Sequence, residues 1–196
     1  DVTINNLPVS VYKYDAVVVG SGAAGFRATE KLYECGCRDI ALITENINAG
    51  TSRNTGSDKQ TYYKLSLSGR EEDSVYKMAS TLFNGQCVDG DIALCEAAHS
   101  VECFLHLTEL GVPFPRNEYG EYIGYKTDHD PMRRATSVGP YTSKFMTEVL
   151  EKSVKDKNIE IQDKMQAVRI LVKDQKVYGV LCLNLNAVYN TEQNVT

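Results

Sequence analysis

Apolar residues form short blocks near both ends of the chain and fall at helical spacing in its middle. Ala16 to Val19 is a run of four, too short for a helix, and predicts a strand over residues 15–20 buried on both faces. A helical pattern follows over residues 23–35, with Ala24, Ala28, Leu32 and Tyr33 near i, i+4 spacing and Gly36 as its C-cap. The run Ile40-Ala41-Leu42-Ile43-Thr44 predicts a second strand over residues 39–44. Residues 1–13 read as an irregular lead-in or an edge strand. Helical spacing returns over residues 73–83 and 91–110. The second helix is predicted to bury Ile92, Leu94, Cys95, Ala98, Val101, Leu105 and Leu107 or Leu110, with Asp91 as cap and Gly111 as stop. Residues 115–142, rich in Gly, Tyr and Asp, read mostly as loop. Thr142 or Ser143 caps a helix over residues 144–156, buried through Phe145, Val149, Leu150 and Val154. A short strand follows at residues 159–161. Residues 166–172 and 177–183, joined by the polar turn Asp174-Gln175-Lys176, predict a hairpin. The tail over residues 186–196 is polar, with Val188 and Tyr189 its only large apolar residues.

This order of elements, β-α-β, helical insertion, α-β, then hairpin, predicts an α/β fold. It has a parallel sheet and an antiparallel β-meander appended to it. At 196 residues the chain fits one domain, or one domain with an insertion. Hydrophobic residues make up 42%, enough for a core, and charged residues 24%, ordinary for a soluble protein. A net charge of −5 argues against nucleic acid or an anionic membrane as partner. No apolar run approaches the ~20 residues of a membrane span. Residues 1–30 show neither a secretory signal nor an Arg-rich leader, and Asp1 in place of Met suggests a native N-terminus removed or replaced. The six cysteines, Cys35, Cys37, Cys87, Cys95, Cys103 and Cys182, have no C-x-x-C pair and no zinc or iron–sulfur spacing. Cys95 and Cys103 are expected as small core residues. Free thiols in a reducing cytoplasm are the preferred reading, ahead of a redox role for Cys35-Gly36-Cys37.

Chemistry concentrates where the first strand ends. Gly20, Gly22 and Gly25 form G-x-G-x-x-G, with Ser21, Ala23 and Ala24 between them. A strand precedes the motif, a helix follows it, and Glu45 closes the second strand 20 residues past Gly25. That is the dinucleotide fingerprint in its full context. Gly20 permits the tight turn, Gly22 lets a pyrophosphate approach the backbone, and Gly25 lets the helix pack close. The N–H groups that open the helix favour an anion. Glu45, flanked by Thr44 and Asn46, can accept hydrogen bonds from ribose hydroxyls and would repel a 2′-phosphate, which disfavours NADP.

The segment over residues 46–59 has no apolar period and is crowded with small polar side chains. It can fold over a phosphate and a ring system, or be a plain solvated turn; composition leaves both open. His129 with Arg133 and Arg134 is the one local cluster suited to an anion. His99 and His106 share a helix seven residues apart without a third ligand, and read as structural or exposed, so no metal site is assigned.

Four stretches together resemble the succinate dehydrogenase/fumarate reductase flavoprotein family, which includes L-aspartate oxidase and related FAD-dependent reductases. Val17-Val18-Val19-Gly20-Ser21-Gly22-Ala23-Ala24-Gly25-Phe26-Arg27-Ala28 is similar to the family's first FAD motif. Gly50-Thr51-Ser52-Arg53-Asn54-Thr55-Gly56, with Ser57 after it, is similar to the second, which wraps the pyrophosphate and reaches the flavin. Leu107 to Phe114 resembles the end of the family's long helix, and residues 134–150 with 173–183 its later helix and β-meander. The resemblance covers nearly the whole chain. It implies a Rossmann-like FAD/NAD(P)-binding fold, with FAD contacts from Gly20 to Gly25, from Thr44 to Asn46, and from Thr51 to Ser57. It also implies backbone contacts to the adenine from Gln166 and Ala167. Some members attach FAD through a histidine in the second motif; Thr51 stands near that place and residues 1–98 contain no His, so the expected FAD is non-covalent.

The family's later strand, capping domain and catalytic His and Arg groups have no counterpart before Thr196, so no catalytic residue is assigned. The chain is expected to be the N-terminal part of an FAD-binding domain, with residues 14–59 as the nucleotide-binding βαβ and pyrophosphate loop, 60–140 as insertion, and 141–196 as helix, strand and hairpin. The implied parent is an oxidoreductase with a small-molecule substrate, open to an electron-transfer partner subunit. The alternatives are an isolated nucleotide-binding module without activity, and part of an NAD-dependent dehydrogenase.

Overall fold

The structure is a computed structural model that describes residues 2–4, 7–57, 60–67 and 72–187. Asp58 and Lys59 of the predicted loop, and the tail from Val188 with Tyr189, lie outside the described residues. The chain divides into two units, one of Asp1–Thr51 with Glu151–Thr196 and one of Ser52–Leu150.

In the first unit, the predicted lead-in holds two short antiparallel strands, β1 (Val2–Ile4) and β2 (Leu7–Val9). The main sheet is parallel. It joins β3 (Ala16–Val19), β4 (Ile40–Ile43) and β8 (Glu160–Gln162) in the order β3-β4-β8. β4 is central and buried at all four positions. β3 departs from the expectation of burial on both faces: Val17 is 41% and Val19 56% exposed. An apolar run marks a strand but cannot tell a central one from one at an edge, and among the described residues β3 stands at the edge of this sheet.

α1 (Ala23–Glu34) connects β3 to β4. It buries Phe26, Thr29 and Glu30, not the predicted face. Ala24 and Ala28 are exposed, and Leu32 and Tyr33 half-buried. Glu30 is the reason. Its carboxylate accepts from Arg27 Nη1 at 2.9 Å, from Lys157 Nζ at 3.1 Å, and from the Ser153 hydroxyl. A carboxylate can be buried only with such partners, and two of them arrive more than a hundred residues later.

α5 (Thr142–Asp156) crosses from the second unit to the first. It starts at the residue predicted to cap it. Leu150 and Val154 are buried as expected, together with Thr147 and Ser153, while Phe145 is 39% exposed. The hairpin is β9 (Met165–Lys173) with β10 (Lys176–Asn184). Its turn has two residues, not three. Asp174 and Gln175 have φ of 49° and 59°, the left-handed pair of a type I′ turn, and Lys176 already belongs to the strand.

The second unit is built on α3 (Val75–Asn84) and α4 (Gly90–Glu109). Met78 and Ala79 pack with Ala93 and Ala97. α4 buries Ala93, Ala97, Ser100, Phe104 and Leu107, one stripe at alternating four- and three-residue steps. The predicted stripe of Ile92, Leu94, Cys95, Ala98 and Leu105 is exposed. Small side chains let two helices approach, so size was the wrong guide to burial. Cys95 is exposed and Cys103 half-buried, so neither is the core residue expected. The cap of α4 is Asp89, which accepts from the N–H of Asp91 and Ile92, in place of Asp91.

Within residues 115–142, predicted mostly as loop, lie β6 (Tyr125–Thr127) and β7 (Asp130–Thr136). They join β5 (Tyr62–Tyr63) in an antiparallel sheet of order β5-β7-β6. β7 reads Asp-Pro-Met-Arg-Arg-Ala-Thr and carries no apolar alternation that could announce it. Tyr62, Phe104, Phe114 and Tyr122 form an aromatic cluster, with Phe104 and Phe114 centroids 4.7 Å apart. Among the described residues, no helix is long and apolar enough to cross a membrane.

Candidate nucleotide site

β3 ends in a sharp turn. Gly20 has φ of 106°, and its N–H donates to the Ile43 carbonyl at 2.8 Å. α1 starts at once, with extended Gly22 as N-cap. A Cβ on Gly25 would lie 1.9 Å from the Gly20 carbonyl oxygen, so the first turn of α1 packs on the glycine turn at a distance no other residue allows. Gly22 has no side chain to cap the helix, and the first turn holds no acidic residue. The first turn itself thus brings no negative charge to the positive end of the helix dipole.

The parallel register Val19↔Ile43 sets Gly20 beside Thr44. The Ser21 and Thr44 hydroxyls, both buried, share a hydrogen bond of 2.8 Å, and Ser21 Oγ reaches the Asn46 carbonyl at 3.5 Å. These two predicted site residues brace the turn with their side chains. Glu45 follows Thr44 and is exposed. Asn46 folds the chain back: its Oδ1 accepts from Asn48 N–H, and its carbonyl from Ala49 N–H. The Thr44 carbonyl accepts from Met165 N–H at 2.9 Å. β9 thus begins beside the end of β4, which brings Gln166 and Ala167 to the end of the sheet that carries Glu45. Asp163, which sequence reasoning missed, fixes the turn after Glu45 by accepting from Ile47 N–H at 2.8 Å. Its only signal is an acid just past a short strand.

Tyr14 ties the approach to β3 to β8. Its hydroxyl donates to Glu160 Oε2 at 2.8 Å and accepts from Gln162 Nε2 at 2.7 Å. Burial, and then the Glu160 carboxylate, push the phenol up to about 12.

Ser52 to Ser57 belong to the second unit. The predicted loop contains one helical turn, α2 (Thr51–Asn54), followed by Thr55, Gly56 and Ser57. Ser57 N–H donates to the Pro140 carbonyl at 3.2 Å. A Cβ on Gly56 would meet the Tyr141 ring at 3.3 Å and the Pro140 carbonyl oxygen at 3.5 Å. Thr55, Gly56 and Ser57 are exposed, while Ser52 and Arg53 are half-buried.

The structure does not bring His129, Arg133 and Arg134 together as an anion site. Arg134 is fully buried. Its Nε and Nη2 donate to the two oxygens of Asp73 at 2.9 and 2.6 Å, and its Nη1 to Asp130 at 3.2 Å and Thr81 Oγ1 at 3.0 Å. His129 and Arg133 are exposed. Burial alone would raise the Asp73 carboxyl; hydrogen bonds from Arg134 and from the N–H groups of Ser66 and Ser74 outweigh it and hold the group below the ordinary carboxylate range.

The family model of the FAD binding domain matches residues 15–196. The chain belongs to the FAD binding domain family. Solved structures with a similar fold include Sdh1 from Mycobacterium smegmatis, at TM-score 0.75 and 19% identity, covering 86% of this chain and 30% of that one. The FrdA chain of E. coli quinol fumarate reductase has TM-score 0.73 and 20% identity, covering 88% and 29%. A 3-ketosteroid-Δ4-(5α)-dehydrogenase from Rhodococcus jostii RHA1 has TM-score 0.71 and 16% identity, covering 93% and 44%. At these identities the likeness is one of fold. No curated protein sequence matches significantly. This FAD binding domain thus spans about 30% of the length of the two flavoprotein chains of succinate dehydrogenase and fumarate reductase type.

Proposed function

We propose that this FAD binding domain holds FAD non-covalently at the end of its parallel sheet, with the pyrophosphate against Gly20, Ser21, Gly22, Ala23, Ala24 and Gly25. The observation that carries the proposal is the packing of Gly25 on the Gly20 carbonyl, which sets a helix start with no acidic residue in its first turn directly against the glycine turn. The residues present fit a dinucleotide. Exposed Glu45 accepts the ribose hydroxyls, with Thr44 and Asn46 shaping its turn. Gln166 and Ala167 offer backbone groups to the adenine. Thr51, Ser52, Arg53, Asn54, Thr55, Gly56 and Ser57 supply donors for the pyrophosphate and the flavin edge.

The bound flavin would supply hydride transfer to or from a small substrate in an oxidoreductase; this chain's residues bind and orient it. Residues 1–196 alone are read as a binder without turnover, because Arg134, the most enclosed cation of the candidate anion cluster, is committed to Asp73 and Asp130. An electron-transfer partner is proposed from the fold likeness to Sdh1, whose structure is a complex with UQ1. A reducing, cytoplasmic setting is proposed from six free cysteines.

The test is to saturate the purified chain with FAD, remove excess, and precipitate it with acid. Stoichiometric flavin in the pellet-free supernatant is expected. Absence of retained flavin, or retention of NAD in its place, overturns the assignment; flavin that stays with the precipitate overturns non-covalent attachment. Reduction of a small enoate by this chain with a reduced dye overturns the reading that it binds without turnover.

A further inference from the structure

Gln60 lies outside both glycine motifs, yet its side-chain amide joins the segment at Thr55 to Ser143, which is 83 residues from Gln60 itself in sequence. Nε2 donates to the Thr55 carbonyl at 3.0 Å. Oε1 accepts from Ser143 N–H at 3.1 Å and from Ser143 Oγ at 3.0 Å. One end of the amide thus serves the first turn of α5, and the other holds the segment that follows α2. The orientation of the amide is determined, since a carbonyl can only accept and a backbone N–H can only donate. Gln60 N–H also donates to the Ser57 carbonyl at 3.1 Å. Pro140 accepts from Ser57 N–H, and the Tyr141 ring lies against Gly56. Thr55, Gly56 and Ser57 are therefore each held from outside the motif, by residues 60 and 140–143. Exposed residues of this kind would otherwise lose freedom on binding a ligand.

We propose that Gln60 is a positioning residue for FAD, which locks Thr55–Ser57 to the start of α5 and so presets the segment before the cofactor arrives. This rests on the FAD site proposed above. Gln60→Glu separates the two halves of the bridge. The new carboxylate keeps an acceptor for Ser143 at a helix start, where negative charge is favoured. Its second oxygen faces the Thr55 carbonyl and repels it. Ser143→Ala is the complementary control, since it removes only the hydroxyl and keeps the N–H.

The experiment titrates FAD into the wild-type chain and both variants, reading quenching of flavin fluorescence and the position of the bound flavin's absorption bands. Gln60→Glu is expected to weaken FAD binding by about tenfold, the effect of losing one hydrogen bond and opposing two acceptors. It should also shift the flavin bands and speed amide exchange over residues 55–57 without FAD. Ser143→Ala should bind within about twofold of wild type. Wild-type affinity, bands and exchange in Gln60→Glu overturn the proposal while leaving the FAD site intact. Failure of the wild-type chain to bind FAD removes the site itself, and the proposal with it. If Gln60→Glu does not fold, Gln60→Met, which has similar length and no polar end, takes its place with the same expected loss.

Discussion

The glycine turn of the first unit and the polar links of the second are held in different ways. In the first, the glycine turn is shaped by its own backbone: Gly20, Gly22 and Gly25 lie within six residues, and the Cβ clash at Gly25 is with Gly20 itself. In the second, order depends on polar partners far apart in sequence. Arg134 meets Asp73 across 61 residues, and Gln60 meets Ser143 across 83. Local sterics need no partner elsewhere in the chain, whereas a long-range polar link fails if either end changes. Substitutions at the glycine turn should therefore fail in a different way from those at Asp73, Arg134 or Gln60.

The largest effect is expected at Gly25→Ala. Its Cβ would sit 1.9 Å from the Gly20 oxygen, so the turn or the helix must move. A loss of more than about 3 kcal/mol in denaturant unfolding is expected, with FAD binding abolished. A near-neutral result would break the view that the first unit is set by close backbone packing. Asp73→Asn should cost about 3 kcal/mol, because it leaves fully buried Arg134 short of a charge partner. The folded Asp73 carboxyl lies below its ordinary 3.8. Its contribution is thus complete above that value and is lost as the pH falls through the lower, folded one. Acid unfolding of the variant should be flatter over this window than that of the wild type.

Glu45→Ala should leave the fold intact, since Glu45 is exposed, and weaken FAD binding by about tenfold through loss of charge-assisted hydrogen bonds. Competition titrations with FAD analogues lacking the adenosine 2′-hydroxyl should show a smaller loss, because the contact is already missing. The smallest effect is expected at Lys64→Met. Lys64 is fully buried with its ammonium 4.9 Å above the Phe104 ring and no hydrogen-bond acceptor. Burial lowers its pKa. An apolar side chain of similar length should stabilise the protein by about 1 kcal/mol near neutral pH. That gain should shrink as the pH rises toward and past the ordinary 10.5, above which the wild-type amine is mostly neutral even when unfolded.

The same contrast explains what could be read from the sequence. The βαβ unit, and the position of Glu45 just past its second strand, are legible because one contiguous motif carries both. The hairpin was found because its two runs are adjacent, though its turn proved one residue shorter. The burial of Glu30 was invisible, since Ser153 and Lys157 are remote and no apolar pattern marks them. α4 was rotated in the prediction because Ala93, Ala97 and Ser100 pack by being small, while Ile92 and Leu105 face outward. β7 escaped notice because Asp130 and Arg134 sit in it as an internal ion pair, where a pattern search expects Val or Ile. Asp163 and Gln60 act through side-chain hydrogen bonds from isolated positions, which leave no periodic trace.

The place of β8 has a consequence for how the protein is made. β4 needs β8 as its second neighbour, but Ile43 and Glu160 are separated by the whole of the second unit. During synthesis, the strand that precedes Glu45 emerges and waits while more than a hundred residues follow. The intervening unit, whose contacts are all available by Leu150, can be structured first and shorten the gap that the sheet must close. The parallel sheet, and with it the surroundings of the glycine turn, would then be among the last parts to set, so slow synthesis or a destabilised second unit should leave a species with an exposed, aggregation-prone β4.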